Sequence, residues 1–200
     1  MQQIILVPGF GGLMADRWRR WWQRYDPDAQ IVEPPDWRVA SLASWLPSVV
    51  RAVEANPGAY LVAHSLGAAV ALHLAARRPD LAIGGALLVA PADVDGALAG
   101  KSDFATFAPL PAARTPWPTL ISASGDDPWI APSRARLLAR RIGAQFVRTD
   151  RAAYAEPLER WWTPDQADAL LHTLSREAAD IRRFPTPFMD GGDIHARTAS

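Results

Sequence analysis

The chain has 200 residues, 21 basic and 21 acidic, no cysteine, and a formal charge of zero. That length suits one domain with a single core, and the even charge argues against a broad electrostatic footprint for nucleic acid or an anionic membrane. The absence of thiols excludes disulfides, thiolate metal sites and a cysteine nucleophile together.

In chain order, the first apolar run covers residues 4–7, directly after Met1-Gln2-Gln3, with no basic leader segment. No run approaches the roughly 18 apolar residues that span a bilayer, so a cytoplasmic protein is expected. Pro8-Gly9-Phe10-Gly11-Gly12 follows. This turn lacks the third glycine and the acidic residue of a dinucleotide fingerprint, so neither nucleotide nor other cofactor is expected, and no metal. Trp18, Trp21, Trp22 and Tyr25 then fall at i, i+3, i+4 and i+7, one stripe of a helix over residues 16–25. The stripe reads as core; Arg17, Arg19, Arg20 and Arg24 read as the solvated face.

Further strands are expected at residues 30–32, 60–63, 86–90, 119–123 and 145–147, and helices at 44–55, 66–77 and 132–142. Strands that are continuously apolar and alternate with helices imply a parallel sheet covered on both faces. A last helix starts with Thr163 as N-cap, Pro164 at N1 and Gln166 closing a capping box, with Ala167, Leu170, Leu171, Leu174 and Ala178 as its stripe. Residues 91–118 carry prolines at 91, 109, 111, 116 and 118 without helical period, an excursion above the sheet where substrate contacts belong. The domain is expected to close at 179, with residues 180–200 a flexible tail.

Chemistry concentrates at Ala63-His64-Ser65-Leu66-Gly67, between the 60–63 strand and the 66–77 helix. Strand, serine, glycine two later, helix is the layout of a nucleophile elbow, in which a strained turn exposes the hydroxyl and only small neighbours fit. The competing reading is a serine that caps a helix. In hydrolases built this way an acid follows on a later strand. Ser124-Gly125-Asp126-Asp127-Pro128-Trp129-Ile130 is such a loop. Asp127 is the candidate acid, from the spacing to Ile130, and Asp126 a turn residue; alternatively both aspartates only shape a turn. The oxyanion hole calls for the Leu66 N–H and one from the glycine-rich turn, at Phe10 or Gly11. Trp37, Trp117 and Trp129 are candidate walls of the substrate pocket.

The run Val7 to Gly12 with Asp16-Arg17-Trp18 and Trp22 resembles the amino end of the retinoblastoma-binding protein 9-like serine hydrolases, which include the bacterial YdeN group. Pro35-Asp36-Trp37 with Trp45, the elbow, Gly85 through Asp93, Phe104 through Pro111 and Ser124 through Pro128 continue the resemblance over roughly residues 3 to 175. It implies a three-layer α/β-hydrolase fold with a compact six-stranded sheet. It also implies hydrolysis of an ester or amide through Ser65 and Asp127.

The resemblance breaks at the general base. Family members carry Gly-His-Ile-Asn after the sixth strand; here the stretch from Phe146 to Glu156 holds no histidine. A gap-free count puts Tyr154 at that place, and a shifted one an alanine. A phenol with pKa near 10 is a poor acceptor for a serine proton. Of the four histidines, His64 is thrown away from the serine by the elbow. His73 lies along the helix, and His172 lies opposite an apolar stripe. His195, in the tail, is the one free to reach the site. Two readings follow: a serine hydrolase acting on a small ester, thioester or amide, or a catalytically impaired hydrolase-fold protein that binds or regulates. Neither involves nucleic acid or a membrane, and the protein partner, if any, is open.

Overall fold

The computed structural model describes residues 3–149, 164–183 and 194–195. The chain runs β1 (Ile4–Val7), α1 (Gly12–Tyr25), β2 (Gln30–Ile31), α2 (Leu42–Ala55), β3 (Tyr60–His64), α3 (Leu66–Arg77) and β4 (Gly85–Val89). It continues through β5 (Thr119–Ser124), α4 (Pro132–Ile142), β6 (Gln145–Thr149), α5 (Pro164–Arg183) and β7 (Ile194–His195). The strands form one sheet in the order β2-β1-β3-β4-β5-β6-β7, and every pairing is parallel.

The reason for three layers is visible strand by strand. Every residue of β1, β3, β4 and β5 is buried, which a strand achieves only when both of its faces are covered. One core packs α2, α3 and α4 against side chains such as Ile5, Leu61, Leu88 and Ile121. The other packs Trp21 and Trp22 of α1 and Leu170 and Leu174 of α5 against Leu6, Val62, Leu87 and Leu120. Alternate residues of one strand thus serve opposite cores. This is the three-layer α/β-hydrolase architecture.

The six expected strands and five expected helices are present, with shifted ends. Ala90 leaves the strand because its φ is +45°, although its N–H still reaches Ser122 O at 2.7 Å. The tryptophan stripe behaves as core at Trp21 and Trp22, whose rings meet edge to face at 5.3 Å, with Tyr25 stacked on Trp21. α5 continues to Arg183, past the boundary expected at 179. Thr163 lies outside the described residues. Two residues of the segment expected to be a flexible tail pair as a seventh strand: Ile194 with Val147 and His195 with Arg148. Among the described residues no helix is long and apolar enough to cross a membrane.

The excursion at 91–118 contains a 3₁₀ turn, Ser102–Phe107, and is tied to the rest of the protein at three points and braced by one bond of its own. Leu42 N–H at the start of α2 donates to Thr106 Oγ1 at 3.1 Å, and Leu110 N–H donates to Asp95. His73 Nε2 bonds the Phe107 carbonyl at 2.8 Å. Arg134 of α4 grips Asp93 through two bonds of 2.7 and 2.9 Å. The segment is therefore a fixed cap over the sheet.

Gly67 admits no side chain: a Cβ there would stand 2.2 Å from Val7 O and 2.6 Å from Pro8 O, both backbone atoms. Gly67→Ala is expected to destabilise the protein by at least about 2 kcal/mol, since β1 cannot yield without moving its pairings. Equilibrium urea unfolding measures this; a wild-type midpoint would contradict the close approach.

Candidate active site

The site is built at the carboxyl edge of the sheet, where β3, β4 and β5 end. Ser65 is the single residue between β3 and α3, with φ +52° and ψ −117°. A non-glycine residue holds such a conformation only when its surroundings over-determine it. They do so here: Ser65 N–H donates to Val89 O at 3.0 Å, and Ser65 O accepts from Ala92 at 3.1 Å and Ala68 at 3.0 Å. Ser65 is half-buried while residues 60–64 and 66–75 are all buried, so the turn presents this one side chain.

The glycine-rich turn lies directly against it. A Cβ on Gly9 would come within 2.8 Å of Ser65 Cβ and 3.2 Å of His64 Nδ1. Gly9 therefore brings the backbone of residues 9–11 to the serine, and the first N–H of α3, at Leu66, has no acceptor within its helix. Gly11 is needed for its φ of +97°, not for space, since a Cβ there would meet nothing within 4 Å. Leu66 follows Ser65 directly, and Phe10 and Gly11 follow Gly9, the residue packed against the serine.

Two strands across, Asp127 is half-buried and Asp126 exposed. Asp127 Oδ1 accepts from Trp129 N–H at 2.8 Å and Ile130 N–H at 3.1 Å, which fixes the carboxylate. Its Oδ2 is buried and has no hydrogen-bond partner among the described residues. Burial pushes the Asp127 carboxyl above its ordinary pKa, against the two backbone N–H groups that lower it, and Asp126 adds to the rise. The free oxygen is the feature a triad acid keeps for an imidazole N–H.

The histidines separate by environment. His64 is buried, and burial lowers its pKa to about 4. His73 is buried on α3 and committed to the Phe107 carbonyl, and burial lowers its pKa as well. His172 is exposed on α5. The backbone of His195 pairs beside Arg148, which in turn pairs beside Ala123 of β5, four residues before Asp127. At about 4.8 Å per strand, that sets His195 roughly 10 Å from the strand carrying the acid loop. Tyr154 lies outside the described residues. Among the described residues, no group of three metal-ligating side chains occurs.

The pocket walls differ from expectation at one tryptophan. Trp117 precedes β5 at the opposite, amino edge of the sheet and is packed in the core, so it does not line the site. Trp129 is partly exposed on the acid loop beneath the Lys101 ammonium, 5.1 Å from its ring centroid. Trp37 packs edge-on against Trp45 at 6.3 Å. Two aromatic contacts of Phe10 went unread in the sequence: Phe104 of the cap meets it edge to face at 5.8 Å, and the buried Trp45 lies 6.3 Å from it. Only the position of Phe104 inside the proline-rich excursion hinted at this.

The serine hydrolase family model matches residues 4–168, and the chain belongs to that family. Among solved structures, a YdeN-like hydrolase from Pectobacterium atrosepticum superposes with a TM-score of 0.69 at 25% identity, covering 87% of this chain and 92% of that one. The ydeN gene product of B. subtilis gives 0.61 at 21% identity, over 88% and 100%. A monoacylglycerol lipase from Paleococcus ferrophilus gives 0.63 at 18% identity, over 88% and 94%. No curated protein matches. These findings carry the YdeN side of the resemblance read from the motifs.

Two outcomes test this geometry. His64 is neutral when folded and free to take a proton when unfolded. Its stabilising contribution is therefore complete above pH 6.5 and is lost as pH falls toward about 4. The loss should reach about 3 kcal/mol, and His64→Gln should flatten the fall in a pH series of urea midpoints. His73→Leu leaves the Phe107 carbonyl buried without its donor, at a cost of about 1–3 kcal/mol. Limited proteolysis within residues 101–108 should then accelerate; unchanged cleavage would mean that His73 does not hold the cap.

Proposed function

We propose that this protein is a carboxylesterase-like serine hydrolase acting on a small ester, thioester or amide. The observation that carries the reading is the pairing of a half-exposed Ser65 on a left-handed turn with a fixed carboxylate whose buried Oδ2 is unengaged among the described residues. The strands behind them stand two apart, about 10 Å, a gap that one imidazole bonded at both nitrogens bridges. Ser65 Oγ attacks the carbonyl carbon and gives its proton to the base. The oxyanion is held by Leu66 N–H and by an N–H of Phe10 or Gly11. The base then protonates the leaving group, and water hydrolyses the acyl-enzyme by the reverse roles. Phe10, Phe104, Trp37 and Trp129 offer an apolar surround for a small substrate.

His195 is the candidate base left once the other histidines are set aside. Its backbone pairs on β7, four strands and about 19 Å from the strand behind Ser65, so it serves as base only if the tail leaves that pairing. Tyr154, which a gap-free count sets at the histidine position of the family the motifs resemble, is too weakly basic for the task. A second reading has its own support: His64, His73 and His172 are each unsuited by burial, commitment or exposure. If the tail does not serve, the protein is an impaired hydrolase that retains the pocket.

A fluorophosphonate probe on the full chain decides between them. Labelling of the wild type, lost in Ser65→Ala and reduced about 10³-fold both in His195→Ala and on deletion of residues 184–200, supports His195 as the base. Wild-type labelling of the truncated chain would remove His195 from the mechanism. An unlabelled wild type that becomes reactive in Tyr154→His would establish the impaired reading.

A further inference from the structure

Away from Ser65, a cleft of about 400 Å³ opens between the cap and the outer face of α4. Its apolar lining is Leu110, Ile130, Leu137 and Leu138; its charged lining is Asp93, Asp95, Arg134, Arg140 and Arg141. The volume is that of a small-molecule site. What distinguishes it is how its charges are committed.

Asp93 is 7% exposed, and both of its oxygens are taken by Arg134. Asp95 accepts the Leu110 N–H through both oxygens at 3.1 Å and has Arg141 only at 3.9 Å. Arg140 has no ion-pair partner among the described residues. Three guanidiniums thus face two carboxylates, one buried in a closed pair, and the surplus positive charge sits at Arg140 and Arg141. Beside them Leu137 is 57% exposed, one of three large apolar side chains left open among the described residues. Guanidinium groups next to an open aliphatic surface match a carboxylate with a short alkyl chain: the fork takes the anion, the leucines the chain.

We infer that this cleft binds an amphipathic monocarboxylate, at a site separate from Ser65, with Arg140 and Arg141 on the carboxylate and Leu137 and Leu138 along the chain. The inference stands whether or not Ser65 turns over. A bound ligand would also touch Ile130, whose N–H holds Asp127, so occupancy has a direct route to the acid loop.

The test uses octanoate and the full-length Ser65→Ala protein, so that catalysis plays no part. Calorimetry should give a Kd on the order of 0.1–1 mM, and amide shifts in NMR should centre on residues 132–142. Octanol, without the charge, should bind about tenfold more weakly, and so should the Arg140→Ala/Arg141→Ala and Leu137→Asp variants. These side chains are exposed, so the variants should keep the wild-type unfolding midpoint. Any of three results overturns the inference: no heat or shifts at 10 mM octanoate, equal binding of octanol, or shifts centred on residues 9–11 and 63–67 instead of α4.

Discussion

The site depends on a steric constraint: β3 must become α3 within one residue while the loop after β1 presses against the junction. Ser65 absorbs the turn by taking a positive φ, and Gly67 allows the approach because Val7 O and Pro8 O occupy the space of any side chain. Gly9 does the same from the other side, against Ser65 itself. Such a turn is costly, of the order of 1–3 kcal/mol, and is maintained by the buried strands around it. Ser65 N–H reaches β4 through Val89, and Ser65 O reaches the chain just beyond it at Ala92. The strain and the exposure of the hydroxyl are therefore one property. A relaxed residue here would continue the strand and bury its side chain.

A second constraint fixes the acid. A carboxylate partly out of water resists ionisation, and Asp127 is held by two backbone N–H groups that offset part of that cost. The bonds use only Oδ1, so the residue is oriented and still has an oxygen to offer. Asp126, exposed beside it, adds negative charge without sharing the position. The cap is held with similar economy. His73, Thr106 and Asp95 each satisfy a backbone group that would otherwise be buried or loose, and the cap then brings Phe104 onto Phe10. Two histidines near the serine thus carry structural tasks, His73 by a hydrogen bond and His64 by burial as a neutral ring.

What the sequence made legible was local. The elbow, the continuously apolar strands and the Trp21–Trp22 stripe each follow from spacing within a dozen residues, where period and turn chemistry decide. The contacts that were not legible are those the crossovers create. Phe10 and Phe104 meet because the turn after β1 and the cap after β4 both lie at the carboxyl edge, and nothing near either residue announces it. Asp93 and Arg134, 41 residues apart, are a similar case. Trp117 shows the limit from the other side. In sequence, a tryptophan between two prolines in a loop looks like a pocket wall. Its place at the amino edge of a parallel sheet puts it in the core instead. Sequence reading found the loop but not which end of the sheet the residue faces.

The base raises a different question from the serine and the acid. The two cores rest on strands β1, β3, β4 and β5 and on the helices of both faces, with Leu170 and Leu174 of α5 among them. The bonds that hold the Ser65 turn and those that orient Asp127 are made by residues before β6. The edge of the sheet leaves β6 with an open side, whose unpaired backbone groups favour a further strand. Ile194 and His195 take that side in parallel register. Parallel pairing matters here because it runs the tail toward the carboxyl edge, where catalysis is possible; an antiparallel return would run it the other way. The edge of the sheet thus holds a histidine for a chain that has none between residues 146 and 156, at a distance of four strands, about 19 Å, from the strand behind Ser65.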